Sequence, residues 1–317
     1  MHPEIKAHYV MALGRMMISA DPDDSLPVED MFAPRAGGPT VLRMVLGAQL
    51  RKLREASDIS LDAAGYAIRA SGSKIRRLER GRVSSRQRDI ADLLTLYGVH
   101  DEQERAALLQ LAREASTAGW WHLYSDVLPS WFESYVGLEQ AASRIRAYEI
   151  QFVPGLLQTE NYARALIQRG NPEATDQEID QRVAVRMTRQ VILGRTGAPQ
   201  YWAIVHEETL RRPLGGRQLM HDQIEHLMEM TQLPNVTLRV VPSRAESTAG
   251  EGSPFTILRF AEPELPDVVY LEHLTSAIYL DKRSDLDRYL AVMDRLLLEA
   301  VPIPATAGIL RDIRRDI

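Results

Sequence analysis

From Val41 to Ala118 apolar residues recur three and four apart. Leu42, Leu46, Leu50 and Leu53 form one stripe, and Arg43, Arg51, Lys52 and Arg54 occupy the other faces. The pattern predicts a helix ending near Ala56. Ser60 is placed to cap a second helix over residues 61–67, and Ser71 a third over 72–80 that stops at Gly81. A fourth is expected over 86–97, stopping at Gly98. A fifth begins after His100, where Asp101, Glu102 and Glu104 suit a first turn, and runs to about Ala118. Five short helices with glycine-punctuated turns predict a compact all-α domain over residues 39–118.

Beyond it the pattern changes twice. Residues 119–139 hold three of the four tryptophans and read as a packing junction. From Glu139 to Gly194 the spacing is helical again, broken at Pro154-Gly155 and Asn171-Pro172, so 119–196 is expected to be helical. Alternation then predicts strands over 200–206, 236–241, 254–260 and 267–273, with helices over 218–231 and 283–300. A hairpin through Gly250 and Gly252 would join the second and third strands, and Pro263–Pro266 marks the turn before the fourth. Residues 197–300 are thus an α+β unit with a small, mostly antiparallel sheet, and 301–317 are set apart as a tail. The expected fold is multidomain, an α head followed by an α+β body.

Composition refines this picture. The first 38 residues allow a short helix at 5–18, then run into an acidic, Pro/Gly-rich stretch, and are expected to be a partly disordered extension. There is no cysteine, so disulfides, thiol catalysis and cysteine-ligated zinc are excluded. No apolar run reaches the ~20 residues that span a bilayer. The expectation is a cytoplasmic protein, associated with the nucleoid. The net charge of −5 is uneven: residues 38–98 carry twelve Lys/Arg and six Asp/Glu, so a basic head precedes an acidic body. The eight histidines are scattered, and His221 and His226 lie five apart, which does not set both on one helix face. No metal, cofactor or enzymatic activity is expected. The glycines of 249–253 lie between strands, where they do not form a phosphate-cradling loop.

The strongest signal is Ser60–Gly81, two short helices joined by a tight turn. Small residues, Ala64 and Gly65, stand where the helices approach. Ile75 and Leu78 face the core, leaving Gly72, Ser73, Arg76 and Arg77 on the outer face of the second helix, which can lie in a major groove. Eight basic residues fall between Arg69 and Arg88 against one acid, Glu79. Arginine grips guanine bidentately, while flanking cations neutralise phosphates. The candidate DNA-binding residues are Arg69, Ser71, Gly72, Ser73, Lys74, Arg76, Arg77, Arg80, Arg82 and Arg86.

The stretch GAQLRKLREASDISLDAAGYAIRASGSKIRRLERGR resembles the helix-turn-helix of Cro/C1-type, or xenobiotic-response-element-type, regulators. The matching marks are Leu50, Leu53 and Arg54, the Ile59-Ser60 pair, and Ser71 with Ile75, Leu78, Glu79 and Gly81. The resemblance implies that residues 72–80 are the recognition helix and that Glu79 is structural, tying the helix end to Arg54. The chain departs from the pattern in three places. Leu61 and Asp62 stand where a phosphate-touching glutamine is common, Arg69 where a glycine is common, and Gly72 where a base-reading side chain is common. Base readout is therefore expected to fall on Ser73, Arg76 and Arg77.

The segments WWHLYSDVLPSWFESYVGLE, YEIQFVPGLLQTENYARALI, LRRPLGG and PFTILRF…VVYLE resemble the C-terminal domain of a group of actinobacterial regulators. These are similar to sporulation and antibiotic-control regulators of Streptomyces. That resemblance implies a domain of unassigned chemistry and a possible small acidic partner protein. Two readings stay open for Trp120, Trp121, Tyr124, Trp131 and Phe132: an aromatic packing cluster, or a ligand or partner site. The same holds for Phe152 and Tyr162 around VPGLLQTENY, where Pro154 and Gly155 break a helix and Thr159 caps the next. The expected function is a homodimeric, sequence-specific regulator of double-stranded DNA whose body senses an unidentified small-molecule effector. The alternative is a body that binds a protein partner and needs no small ligand.

Overall fold

The computed structural model describes residues 39–243, 253–262 and 265–317. The extension over 1–38, with the short helix expected in it, lies outside the described residues, as do Gly250, Gly252 and Pro263.

The head has the five helices the apolar spacing predicts: α1 Pro39–Ala56, α2 Leu61–Ala67, α3 Gly72–Glu79, α4 Gln87–Leu96 and α5 Glu102–Ala115. Three begin on side-chain caps. Ser60 accepts from the Ala63 amide at 3.1 Å, Ser71 from Lys74 at 3.3 Å, and Asp101 from Glu104 at 2.7 Å, each satisfying an amide that the helix leaves free. Leu46, Leu50, Ala64, Ile75, Leu78 and Ile90 meet in one core.

The body contains α6 Ser130–Ala141, β1 Arg144–Glu149, α7 Glu160–Gly170, α8 Asp176–Gln190, β2 Gln200–His206, α9 Glu207–Arg211, α10 Arg217–Met230, β3 Val236–Val241, β4 Phe255–Arg259, β5 Val268–Glu272, β6 Ala277–Leu280, α11 Arg283–Glu299 and α12 Ile303–Asp316. One sheet runs β3-β2-β1-β4-β5-β6. Its β1–β2 and β2–β3 pairs are parallel, and its β1–β4, β4–β5 and β5–β6 pairs antiparallel. The sheet is therefore mixed, with the antiparallel pairs in the majority.

Three expectations change. Residues 144–149 fall inside a segment read as helical but form the central strand β1, whose six-residue alternation is too short to stand out between two helices. The expected hairpin between residues 236–241 and 254–260 does not exist. β3 lies at one edge beside β2, and β4 lies across β1, because the parallel β1-β2-β3 unit winds outward through α7–α10 before the chain returns. The tail at 301–317 contains helix α12, with Leu310 and Ile313 buried in the main core.

The two faces of the sheet bury different layers. Ile145, Ala147, Tyr201, Val205, Leu238 and Leu258 face the core that α6, α10 and α12 complete. Tyr148, Ile204, Phe255 and Val269 face α11 through Met293 and Leu296. Helix α1 belongs to both halves of the molecule. Its Val41 and Met44 enter the core of the body, and its Leu46 and Leu50 that of the head.

Candidate nucleic-acid interface

The turn between α2 and α3 works because its residues are small. A Cβ on Gly65 would stand 2.7 Å from the Ala70 carbonyl, closer than real Cβ atoms come, so only glycine lets α2 meet the turn. Gly47 does the same between α1 and α3, where a Cβ would stand 2.6 Å from the carbonyls of Leu78 and Glu79. Arg69 sits in the turn with φ +54°, in the left-handed region. This is the position where a glycine is common in the pattern the stretch resembles, and its backbone explains that preference.

Helix α3 has two faces. Ile75 is fully buried and Leu78 nearly so, while Ser73, Arg76 and Arg77 are exposed together on the opposite side. Arg69 and Arg86 flank them and are also exposed, and Lys74 is half-buried with Asp89 3.7 Å away. Ser71 is engaged as the cap. Gly72 is buried, and a Cβ there would strike the Asp62 carboxylate at 2.3 Å. Gly72 thus lies against α2 at the start of α3, where the nearest atom to an added Cβ belongs to the exposed Asp62 side chain.

The far end of α3 is held rigid. Arg54 donates to Glu79 from Nε at 2.5 Å and from a terminal nitrogen at 3.0 Å, and also to the Ile59 carbonyl at 3.0 Å. The hydrogen bond to Glu79 holds the Arg54 guanidinium above its ordinary pKa. Buried and bidentate, the pair fixes the orientation of α3 on α1, which is the tie the resemblance implied.

Arg80 and Arg82, expected among the DNA contacts, are placed differently from Arg76 and Arg77. Both turn toward the end of β6. Arg80 Nε lies 3.0 Å from Asp281 Oδ2, and an Arg82 terminal nitrogen lies 3.6 Å from the same oxygen. Arg82 also donates to the Tyr279 carbonyl at 3.2 Å and stacks over the Tyr279 ring at 5.0 Å. Burial lowers the Arg82 pKa, and Asp281 opposes that shift. Asp281 and Tyr279 lie about two hundred positions along the chain from these arginines, so no local signal marks them. Sequence reasoning also passed over Tyr66 on α2, which is 88% exposed and three positions before Arg69. Its place off the Ala64/Ile68 apolar side was the available clue.

The aromatic residues of 120–132 pack mainly with one another. The Trp120 and Trp121 rings meet edge to face at 6.0 Å, and Tyr124 meets Trp120 at 6.2 Å. Trp131 and Phe132 meet at 5.9 Å, and Phe132 lies 5.0 Å from the Arg189 guanidinium. Tyr162 is buried, and its hydroxyl accepts from the Val153 amide at 3.2 Å. Thr159 caps α7 through the Tyr162 amide, as its position suggested, while Phe152 is half-buried just before the break. No group of three or more His, Cys, Asp or Glu among the described residues is placed to hold a metal ion. No helix among them is long and apolar enough to cross a membrane.

Two short helices meeting at a glycine-tight turn, braced by a buried ion pair and presenting arginines outward, define a helix-turn-helix domain of the kind that binds DNA. Residues 45–108 match the family model described as a helix-turn-helix domain. Residues 132–312, more than half of the chain, match the model described as a domain of unknown function, DUF5753, and the chain belongs to that family. Comparison with curated proteins and with solved structures gives no match.

Proposed function

We propose that this protein is a sequence-specific transcriptional regulator of the Cro/C1 type, whose body controls its DNA-binding head in response to a small effector. The observation that carries the reading is the exposed group Ser73, Arg76 and Arg77 on α3, opposite the buried Ile75 and Leu78. A single recognition helix reads few base pairs, so the protein acts as a homodimer on two half-sites about 34–36 Å apart. It works where the chromosome is, in the cytoplasm. The contact of Asp281 with Arg80 and Arg82 supports control by the body, because it holds two cations beside the recognition helix.

The test is recovery of DNA fragments from a genomic pool by the purified full-length protein. A palindromic sequence is expected with the wild type and its loss with the Arg76→Ala/Arg77→Ala variant, each lost bidentate base contact costing about 1–3 kcal/mol. Arg86→Ala should weaken specific and random DNA alike and flatten the salt dependence. Recovery of the same sequence by the double variant would remove the recognition role from α3.

A further inference from the structure

Head and body enclose a cleft of about 920 Å³. One wall comes from α1 and the segment after α3, the other from α6 and the β6–α11 corner. Its size suits a small molecule. Seven Lys and Arg line it against four Asp and Glu. Three of the four acids already have a cation: Glu55 lies 2.8 Å from Arg51, Glu79 is held by Arg54, and Asp281 is held by Arg80, while Glu133 lies 3.3 Å from the His122 ring. Among the described residues, Arg43, Lys52 and Lys282 have no carboxylate within 4.0 Å.

Arg43 is the decisive one. Lys52 and Lys282 are exposed and hydrated, but Arg43 is half-buried on α1 and its Nε has no hydrogen-bond partner among the described residues. Among the described residues its side chain makes one hydrogen bond, to Thr40 Oγ1 at 2.9 Å. Burial depresses its pKa, and no anion among the described residues opposes the shift. A desolvated cation without a counter-charge destabilises a fold, and it becomes favourable once an anion arrives. Trp121, Met44 and Leu138 supply apolar wall beside it.

We propose that this cleft binds a small effector carrying an anionic group and an apolar body, with Arg43 at the anion and Lys52 and Lys282 at the rim. The inference rests on the reading of the body as the controlling part. A ligand touching both walls favours the docked arrangement in which Asp281 holds Arg80 and Arg82, so it lowers affinity for DNA, and DNA lowers affinity for it by the same factor.

The probe is 8-anilinonaphthalene-1-sulfonate, an aromatic sulfonate, titrated by fluorescence into the full-length protein. Saturable binding at one equivalent is expected. It should weaken at least about tenfold in Arg43→Met, which keeps the apolar stem and loses the charge. The thermal midpoint of Arg43→Met should be no lower than that of the wild type, whereas a merely structural arginine would lower it. Should Arg43→Met fail to fold, the exposed pair Lys52→Gln/Lys282→Gln carries the same expectation of weakened binding. Equal probe affinity in all variants overturns the site. A chain lacking residues 2–36 should bind as the wild type does. If Arg43-dependent binding occurs only in that shortened chain, the chain's own acidic extension is the occupant and the proposal of a small ligand fails. Recovery of specific DNA without probe is scored separately, so loss of the regulatory reading and loss of the site are distinct results.

Discussion

Asp281, at the end of the sheet's edge strand, holds Arg80 at 3.0 Å although 201 positions separate them in the chain. The pair joins the body to the residue that ends the recognition helix. It is partly exposed, so its contribution is about 0.5–1 kcal/mol. Asp281→Asn is expected to release Arg80 and Arg82 and tighten DNA binding by about two- to fivefold. Fluorescence anisotropy on the recovered sequence checks this. Unchanged affinity would mean that these two arginines do not reach DNA.

Arg69 separates folding from binding. Its left-handed backbone costs about 1–2 kcal/mol in a residue bearing a Cβ, and glycine removes that cost while adding about 0.5–1 kcal/mol of unfolded-state entropy. Arg69→Gly is therefore expected to be as stable as the wild type or up to about 1.5 kcal/mol more so. Its DNA affinity should fall if the guanidinium contacts phosphate. Denaturant unfolding and anisotropy on the same sample read the two effects. A clear loss of stability would contradict the account of the turn.

Arg189 on α8 and Glu139 on α6 form two parallel 2.8 Å hydrogen bonds, both side chains buried, with Phe132 and Tyr135 against the guanidinium. Glu139→Ala strands a buried cation and is expected to cost about 3–5 kcal/mol. Glu139→Leu/Arg189→Met removes both charges and should cost much less than the single variant. Equal losses in the two would show that the pair contributes packing alone.

Glu149 ends β1, where burial raises its carboxyl to about 8, the Glu272 carboxylate adding to the shift and Arg186 opposing it. An unfolded glutamate titrates near 4.3. The folded protein thus binds this proton more tightly, and the stability it lends is present at low pH and lost as pH rises toward 8. Thermal midpoints between pH 5 and 8 should fall in the wild type more steeply than in Glu149→Gln. Parallel curves would exclude Glu149 as the source.

What could be read from the sequence follows the range of the interactions involved. The caps at Ser60 and Ser71 act within three residues, and the helices they start lie where expected, while Asp101, read as a first-turn residue, is itself the cap of α5. The α3 faces follow from the spacing of Ile75 and Leu78, a helical period the sequence displays directly. Strand β1 was hidden because RIRAYE alternates over six residues only, between segments with helical spacing. The order of strands was hidden because alternation marks a strand without naming its neighbour, so β3 and β4, consecutive in sequence, suggested a hairpin that the sheet does not contain. The arrest of Arg80 and Arg82 depends on Asp281, which only the folded chain brings near.

Helix α1 is continuous over 18 residues, about 27 Å at 1.5 Å per residue, and its two ends are rooted in different cores. The helix-turn-helix match begins at residue 45, just past Val41 and Met44, the residues that enter the body. No flexible joint interrupts α1. It is an axle shared by two cores: on the proposed reading, a tilt of its first turn by the body would carry over to the frame that holds α3.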